Sequence, residues 1–427
     1  EDGIRDHCVT GVQTCALPIS KNNDPQQRKS AMQRLMAGDD SLHPHRPRRV
    51  VPPERFKEHF EKLFSKVSEQ ETLGLTEAKV GRPKAEPLLE LSGPPSLNEI
   101  VDAIGRLSRD SAPGSNGLPS EIFKAGNPVI AHRLCQDFKQ IWPSVGDDGI
   151  SHKAQVFKAW QDAEVVTLHK GKGSHSDPSN YRGIFLLDVA GKILASVIEK
   201  RVRKAAESWL SDSQNGFREK RSTSHAIHTL RRIQEACRLA DMKAFAVFID
   251  YEKAFDSPPR AALLECLEWI GIPSDLLAVI SAIHENPMAK VSGSKVWFRV
   301  ARGIRQGCVL GPTLFIILLE FAKRLANITD MGVELSCAAR KQLELPLDLI
   351  GIGFRMGSAE YADDMALVDT CSARLSEAIQ RLQQVCGKIG LNISVSKTEW
   401  LYLHNPNSAE LEDCLSKRSP EIGRAHV

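Results

Sequence analysis

The sequence predicts an α+β fold in which an antiparallel sheet is backed by helices. Long stretches carry apolar residues at helical period, and a few short β-prone runs lie between them. In one such run two adjacent aspartates, Asp363 and Asp364, interrupt the apolar residues as a turn would. At 427 residues the chain exceeds one ordinary core and implies a multi-lobed domain or two to three units.

In chain order, residues 1–20 (with VTGVQTCALPI at 9–19) and 421–427 (with IGRAHV) resemble translated sequencing-library adapter, and both are set apart from the fold. Their removal leaves a remainder more basic than the net +3 of the whole chain, which permits a nucleic-acid partner. Residues 21–95 read as a linker or N-terminal extension. Its first part, ending in HPHRPRR, is a solvated basic segment, and its one short helix presents Phe56, Phe60 and Phe64 on a single face. A second helix spans 188–210, with Val189, Ile193, Leu194, Val197 and Ile198 as its stripe. Pro312 suits the first turn of a third helix, where a missing N–H costs nothing. A fourth, over 372–390, takes Ser372 as N-cap, Leu375, Ile379, Leu382, Val385 and Ile389 as its buried face, and Gly390 as its stop. The expected strands are 244–250, 296–301, 398–403 and the two arms FRMGSAEYA and MALVD around the aspartate pair.

Composition excludes several classes. With 42% hydrophobic and 26% charged residues the chain reads as globular, and no apolar run approaches the roughly 20 residues of a membrane span. Ten scattered cysteines without a CxxC pair or zinc spacing point to reduced thiols in an intracellular protein.

The chemistry centres on three acids. On a strand Asp363 and Asp364 would face opposite ways, so a hairpin tip is the reading that lets both serve one site. Asp250 ends the apolar run AFAVFI, and a carboxylate there is expensive unless it is paired or bound to metal. Three such acids form a plausible oxygen cage for Mg²⁺. Asp256 and Glu252, past the turn, read as a helix N-terminal charge and a surface group.

FIDYEKAFDS (248–257), GIRQGCVLGPTLF (303–315), YADDMALV (361–368) and GLNISVSKTEWL (390–401) resemble, in order and interval, the palm motifs of reverse transcriptases. Upstream, RDSAPGSNGLPSEIF, KGKGSHSDPSNYRGIFLLDVAGKILASVIEKR and SQNGFREKRST are similar to the fingers segments of non-long-terminal-repeat, LINE-like retrotransposon enzymes. The resemblance implies a right-hand polymerase fold, with fingers and the start of the palm over 96–245, palm over 246–405, and a start of thumb or connector over 406–420, the thumb being largely missing. It implies RNA-directed DNA synthesis with Asp250, Asp363 and Asp364 holding two Mg²⁺ ions (Mn²⁺ as substitute). The partners it implies are an RNA template, a DNA primer and dNTPs, with no membrane, and the location intracellular, at the nuclear insertion site.

By the same resemblance Phe255 lies beneath the incoming sugar and would exclude a 2′-hydroxyl, the bland alternative being a core Phe. Gln306 and Gly307 approach the nucleotide, Lys397 serves the leaving pyrophosphate, and Lys170 and Arg182 present cations to the triphosphate. The chain departs from the family pattern at Ser111, Asn116, His225 and Gly311. Two rivals follow: an inactive remnant that only binds nucleic acid, and an RNA-synthesising palm polymerase.

Overall fold

The computed structural model describes residues 51–65, 72–145, 151–328, 331–335 and 354–404, and the backbone of 424–426. The readings of 1–50 and 405–423 lie outside the described residues.

Two sheets organise the chain. Helix α1 (Pro53–Phe64) precedes a helical region that includes α2 (Leu97–Arg106) and α3 (Val129–Ile141). A hairpin follows, β1 (Ala163–His169) and β2 (Tyr181–Leu186), and then α4 (Val189–Ala206) and α5 (Thr223–Leu239). The run AFAVFI forms β3 (Ala244–Ile249), and helices α6 (Arg260–Trp269) and α7 (Ser274–Ile283) lead to β4 (Met288–Val291) and β5 (Trp297–Arg299). Helix α8 (Gly311–Leu325) carries Pro312 in its first turn, as the sequence predicts. Further along come β6 (Val333–Leu335), β7 (Phe354–Met356), β8 (Ser358–Tyr361), β9 (Asp364–Asp369), α9 (Ser372–Lys388), β10 (Glu399–His404) and β11 (Arg424–His426).

The larger sheet runs β8-β9-β3-β10-β11, antiparallel except for the short parallel pairing of β11 on β10, so that 424–426, within the stretch set apart from the fold, lie against its edge. The smaller runs β2-β1-β4-β5, with β1 and β4 parallel, so the sheets are mixed rather than wholly antiparallel.

Burial explains where each surface goes. Strand β3 is apolar at every position because it lies in mid-sheet with both faces partly covered. Its residues Phe245, Val247 and Ile249 join a core with Phe315 and Leu319 of α8 and Leu375, Ile379 and Leu382 of α9. On the other face Ala244 and Ala246 meet Ile233, Ala236 and Cys237 of α5. That cover stops short of Phe248, which is 37% exposed, so the end of β3 opens to solvent just where Asp250 follows. The phenylalanines of α1 seat on the smaller sheet: Phe56 meets Tyr181 edge-on at 4.8 Å and Phe64 meets Phe185 at 5.6 Å. Gly183 leaves room for the Phe60 ring, and the helix read as part of an extension is packed into the core.

Two local expectations need correction. The arm FRMGSAEYA is two strands, not one: β7 pairs with β6 in a separate ribbon, and β8 begins after Gly357, where a Cβ would strike the Met331 carbonyl. Ser372 is the first residue of α9 rather than its cap, which is Cys371 without a side-chain hydrogen bond.

Candidate active site

The antiparallel register Met365↔Ile249 sets Asp364, the first residue of β9, alongside Asp250, the first residue past β3. The turn preceding β9 is Ala362–Asp363, closed by the Tyr361↔Asp364 pair, with Ala362 in the left-handed region at φ 61°. A tight turn thus lets both acids serve one site, since Asp363 leaves the pleat while Asp364 stays in it. The backbone of Asp250 is fixed separately, its carbonyl accepting from Ser394 N–H at 2.7 Å.

Electrostatics tie the acids together. Burial pushes the Asp363 carboxyl above the usual range, with further upward pressure from Asp364 and Asp250 against the pull of Lys397. Asp364 is raised by burial and then by Asp250. Lys397 Nζ lies 2.8 Å from Asp250 Oδ1, an exposed pair with 62% of the lysine side chain accessible. Among the described residues no group of three or more His, Cys, Asp or Glu is placed to hold a metal ion. The expected cage is therefore not assembled: its donors are neighbours, but the lysine engages the Asp250 carboxylate. In chemistry the set still fits a hard divalent cation, being all carboxylate oxygen with charge in excess of its fixed partners.

A second ring surrounds this centre. Phe255 is half-buried, stacked on Phe315 at 4.7 Å and 27° and edge-on to Phe217 at 6.5 Å. Its carbonyl accepts from Ile304 N–H at 2.7 Å, which fastens the turn after β3 to the loop before α8. In that loop Gln306 carbonyl accepts from Phe185 N–H at 2.7 Å, and Gly307 sits at φ 119° with a Cβ position blocked by the Phe185 carbonyl. Only glycine satisfies both conditions. Gln306 Nε2 donates to Asp256 Oδ1 at 3.3 Å.

Asp256 is not a helix N-terminal charge as expected. It ends a short 3-10 turn four residues before α6, and burial pushes its carboxyl up to about 6 despite Lys253, Gln306 and Lys170. Glu252 is exposed as expected. Lys170 sits at the end of β1, its Nζ donating to Ser179 carbonyl at 2.8 Å. Burial and then the Arg182 charge lower its pKa, with Lys253 and Lys397 adding to the effect. Arg182 is exposed on β2. Lys170 thus lies within the field of the other three cations.

One cluster escapes a reading of the sequence. Glu360, on β8 three residues before Asp363, is 1% exposed and bonds Lys323 Nζ at 2.8 and 2.9 Å. Lys323 also pairs with Glu320 at 2.8 Å. Burial works against its ammonium, but Glu360 and Glu320 outweigh it and raise the pKa. The available signal was Glu320 and Lys323 lying at i, i+3 within the long apolar pattern of α8, where charges are out of place.

The chain matches the family described as reverse transcriptase (RNA-dependent DNA polymerase) over residues 168–419, more than half its length. It belongs to that family. It is 28% identical over 245 residues to the RNA-directed DNA polymerase from mobile element jockey of Drosophila melanogaster, covering 56% of this chain and 26% of the relative. Against the Pol polyprotein from type-1 retrotransposable element R1 of Bradysia coprophila it is 25% identical over 349 residues, covering 77% and 30%. With the probable RNA-directed DNA polymerase from transposon BS of Drosophila melanogaster it shares 26% over 319 residues, covering 71% and 32%. The expected likeness to the LINE-like enzymes is borne out, and the chain spans between a quarter and a third of these relatives' lengths. No described helix is long and apolar enough to cross a membrane.

Proposed function

We propose that this chain is the fingers and palm of an RNA-directed DNA polymerase that adds dNTPs to a primer 3′-hydroxyl on an RNA template. The observation that carries the reading is the registration of Asp364 beside Asp250 with Asp363 in the adjoining turn, where Asp363 feels the charges of Asp364 and Asp250, and Asp364 that of Asp250. The larger sheet would be the palm and the smaller one part of the fingers.

In this mechanism Asp250, Asp363 and Asp364 would hold divalent ions, two Mg²⁺ by the family pattern, with Mn²⁺ as substitute. Such ions, when bound, activate the attacking hydroxyl and neutralise charge on the departing pyrophosphate. The chain's own residues do the rest. Lys170 and Arg182 orient the triphosphate from the hairpin of β1 and β2, where a guanidinium can grip phosphate in bidentate fashion. Gln306 and Gly307 bring backbone close to the nucleotide, and Phe255, braced by Phe315, stands under its sugar. Lys397 is released from Asp250 to meet the pyrophosphate. Contacts to template and primer backbones come from Lys and Arg and give affinity that falls with salt. Intracellular action at a nuclear insertion site accords with this reading.

Primer extension on an RNA template with Mg²⁺ tests it, comparing the parent chain with Asp363→Asn and Phe255→Ala. Extension abolished by Asp363→Asn is expected, together with weaker discrimination against NTPs in Phe255→Ala. Full activity in Asp363→Asn would overturn the assignment of the acids, and unchanged sugar selectivity would return Phe255 to a packing role.

A further inference from the structure

The block SQNGF (213–217) grips the aspartate hairpin. Asn215 N–H donates to Glu360 carbonyl at 2.8 Å, and Glu360 N–H donates to Ser213 carbonyl at 2.9 Å, a parallel bridge centred on Gln214 and Glu360. Gln214 is 1% exposed, and its carboxamide is spent on the hairpin tip. Its Oε1 accepts from Ala362 N–H at 3.0 Å and from Gly216 N–H at 2.7 Å. Its Nε2 donates to Ala362 carbonyl at 3.3 Å and to Glu360 Oε2 at 3.4 Å.

Both polar groups of Ala362 are therefore met by one side chain, 148 residues away in sequence. Ala362 is the left-handed residue of the turn, a conformation an L-residue with a Cβ holds only when its surroundings over-determine it. Gly216 makes the close approach possible, since a Cβ there would run into the Ala362 backbone nitrogen. Beneath this clasp Glu360 is anchored to Lys323, so the hairpin is held at 360 and at 362, immediately before Asp363.

We propose that Gln214 is a positioning residue for the polymerase reaction: its carboxamide fixes the Ala362 peptide and so sets where Asp363 and Asp364 present their oxygens. This rests on the reading of those acids given above. A Gln that merely filled space could be replaced by Met, which has nearly the same shape and none of the hydrogen bonds. A positioning Gln could not.

The test compares the 427-residue chain with Gln214→Met, and with Arg201→Met, a control whose lost bonds run from α4 to Glu99 and to the Leu91 and Gly93 carbonyls rather than to the hairpin. Without metal, hydrogen exchange across 358–368 should rise about tenfold in Gln214→Met, the scale of a lost buried hydrogen bond. Mn²⁺ affinity, read by water-proton relaxation without substrate, should weaken about tenfold, as when outer support of a ligand is removed. Primer extension should lose turnover with little change in dNTP KM. Arg201→Met should lower thermal stability and leave tip exchange and Mn²⁺ affinity unaltered. Unchanged exchange at the tip in Gln214→Met overturns the proposal, as does faster exchange with parental Mn²⁺ affinity. If Asp363→Asn binds Mn²⁺ as tightly as the parent, the assignment of the acids is what fails; if Asp363→Asn loses Mn²⁺ and Gln214→Met does not, only the positioning role falls.

Discussion

Replacing Lys323 by Met would leave the hairpin anchor without its cation. The ammonium lies 2.8 Å from Glu320 Oε2, 2.8 Å and 2.9 Å from the two oxygens of Glu360, and 3.0 Å from Ser211 Oγ. The side chains of Lys323, Glu320 and Glu360 are 5%, 3% and 0% exposed, so solvent screens none of this. Glu320 keeps Arg324 at 2.9 Å, and Glu360 keeps hydroxyl donors from Ser213 and Ser358, each at 2.9 Å. The uncompensated group is then Glu360, and removing one partner of such a buried pair costs about 3–5 kcal/mol. With a urea m-value near 3 kcal/mol/M the unfolding midpoint should fall by about 1–1.7 M at pH 7.

The pH dependence has a definite sign. Lys323 is raised in the folded state, so its contribution is complete below the ordinary lysine range and is lost only as pH rises through the raised value. The parent should therefore be insensitive to this group near neutrality. Adding Glu360→Gln to Lys323→Met should recover most of the midpoint. A shift under about 0.3 M, within the scatter of a surface change, or the absence of rescue by Glu360→Gln, would refute the account.

Three further outcomes are expected. Gly307→Ala cannot keep φ 119° or clear the Phe185 carbonyl, so the bond from Phe185 N–H to Gln306 should break and dNTP KM should rise in steady-state extension. Glu99, in the first turn of α2, is held at about 2: burial would raise it, but hydrogen bonds from Arg201 and Ser96 prevail. Its stabilisation is thus full above its ordinary pKa and disappears as pH falls from about 4.5 to about 2, and Glu99→Gln should flatten acid unfolding in that window. Asp363 has the opposite sign: raised by burial and by Asp364 and Asp250, it costs stability at neutral pH when no metal is bound. Asp363→Asn should therefore melt higher than the parent in EDTA, by differential scanning calorimetry, and an equal or lower midpoint would contradict the raised carboxyl.

What the sequence disclosed follows from how local each signal is. Asp250 and the pair 363–364 were legible because a carboxylate at the end of an apolar run violates the pattern around it, and the violation sits in a handful of consecutive residues. The faces of α1 and α9 were legible for the same reason, periodicity being a property of short windows. Gln214 was not, since a glutamine declares nothing until the peptide it binds is known, and that peptide is 148 residues away. The break at Gly357 was missed because it depends on the Met331 carbonyl across the ribbon rather than on any turn residue cluster. Cys371 displaced Ser372 as cap without a capping hydrogen bond, so the usual chemical signal was not the one that set the boundary.

The contrast between Glu360 and Asp363 bears on whether the tip is functional or merely solvated. They lie three residues apart on one hairpin, yet the first has a buried lysine given to it permanently, while the second shares only an exposed one. A solvated acidic turn has no need of a dry ion-paired anchor and a buried carboxamide clasp directly behind it. Lys397, 62% exposed and facing an Asp250 side chain 35% exposed, forms a pair of the surface kind, worth about 0–1 kcal/mol. An incoming divalent ion or triphosphate can displace it at little cost. The unassembled cage is then separated from an assembled one by a weak contact, whereas the scaffold that aims Asp363 and Asp364 is held by strong ones, and rigid support beneath an unneutralised charge is the arrangement a site for a multivalent charged ligand requires.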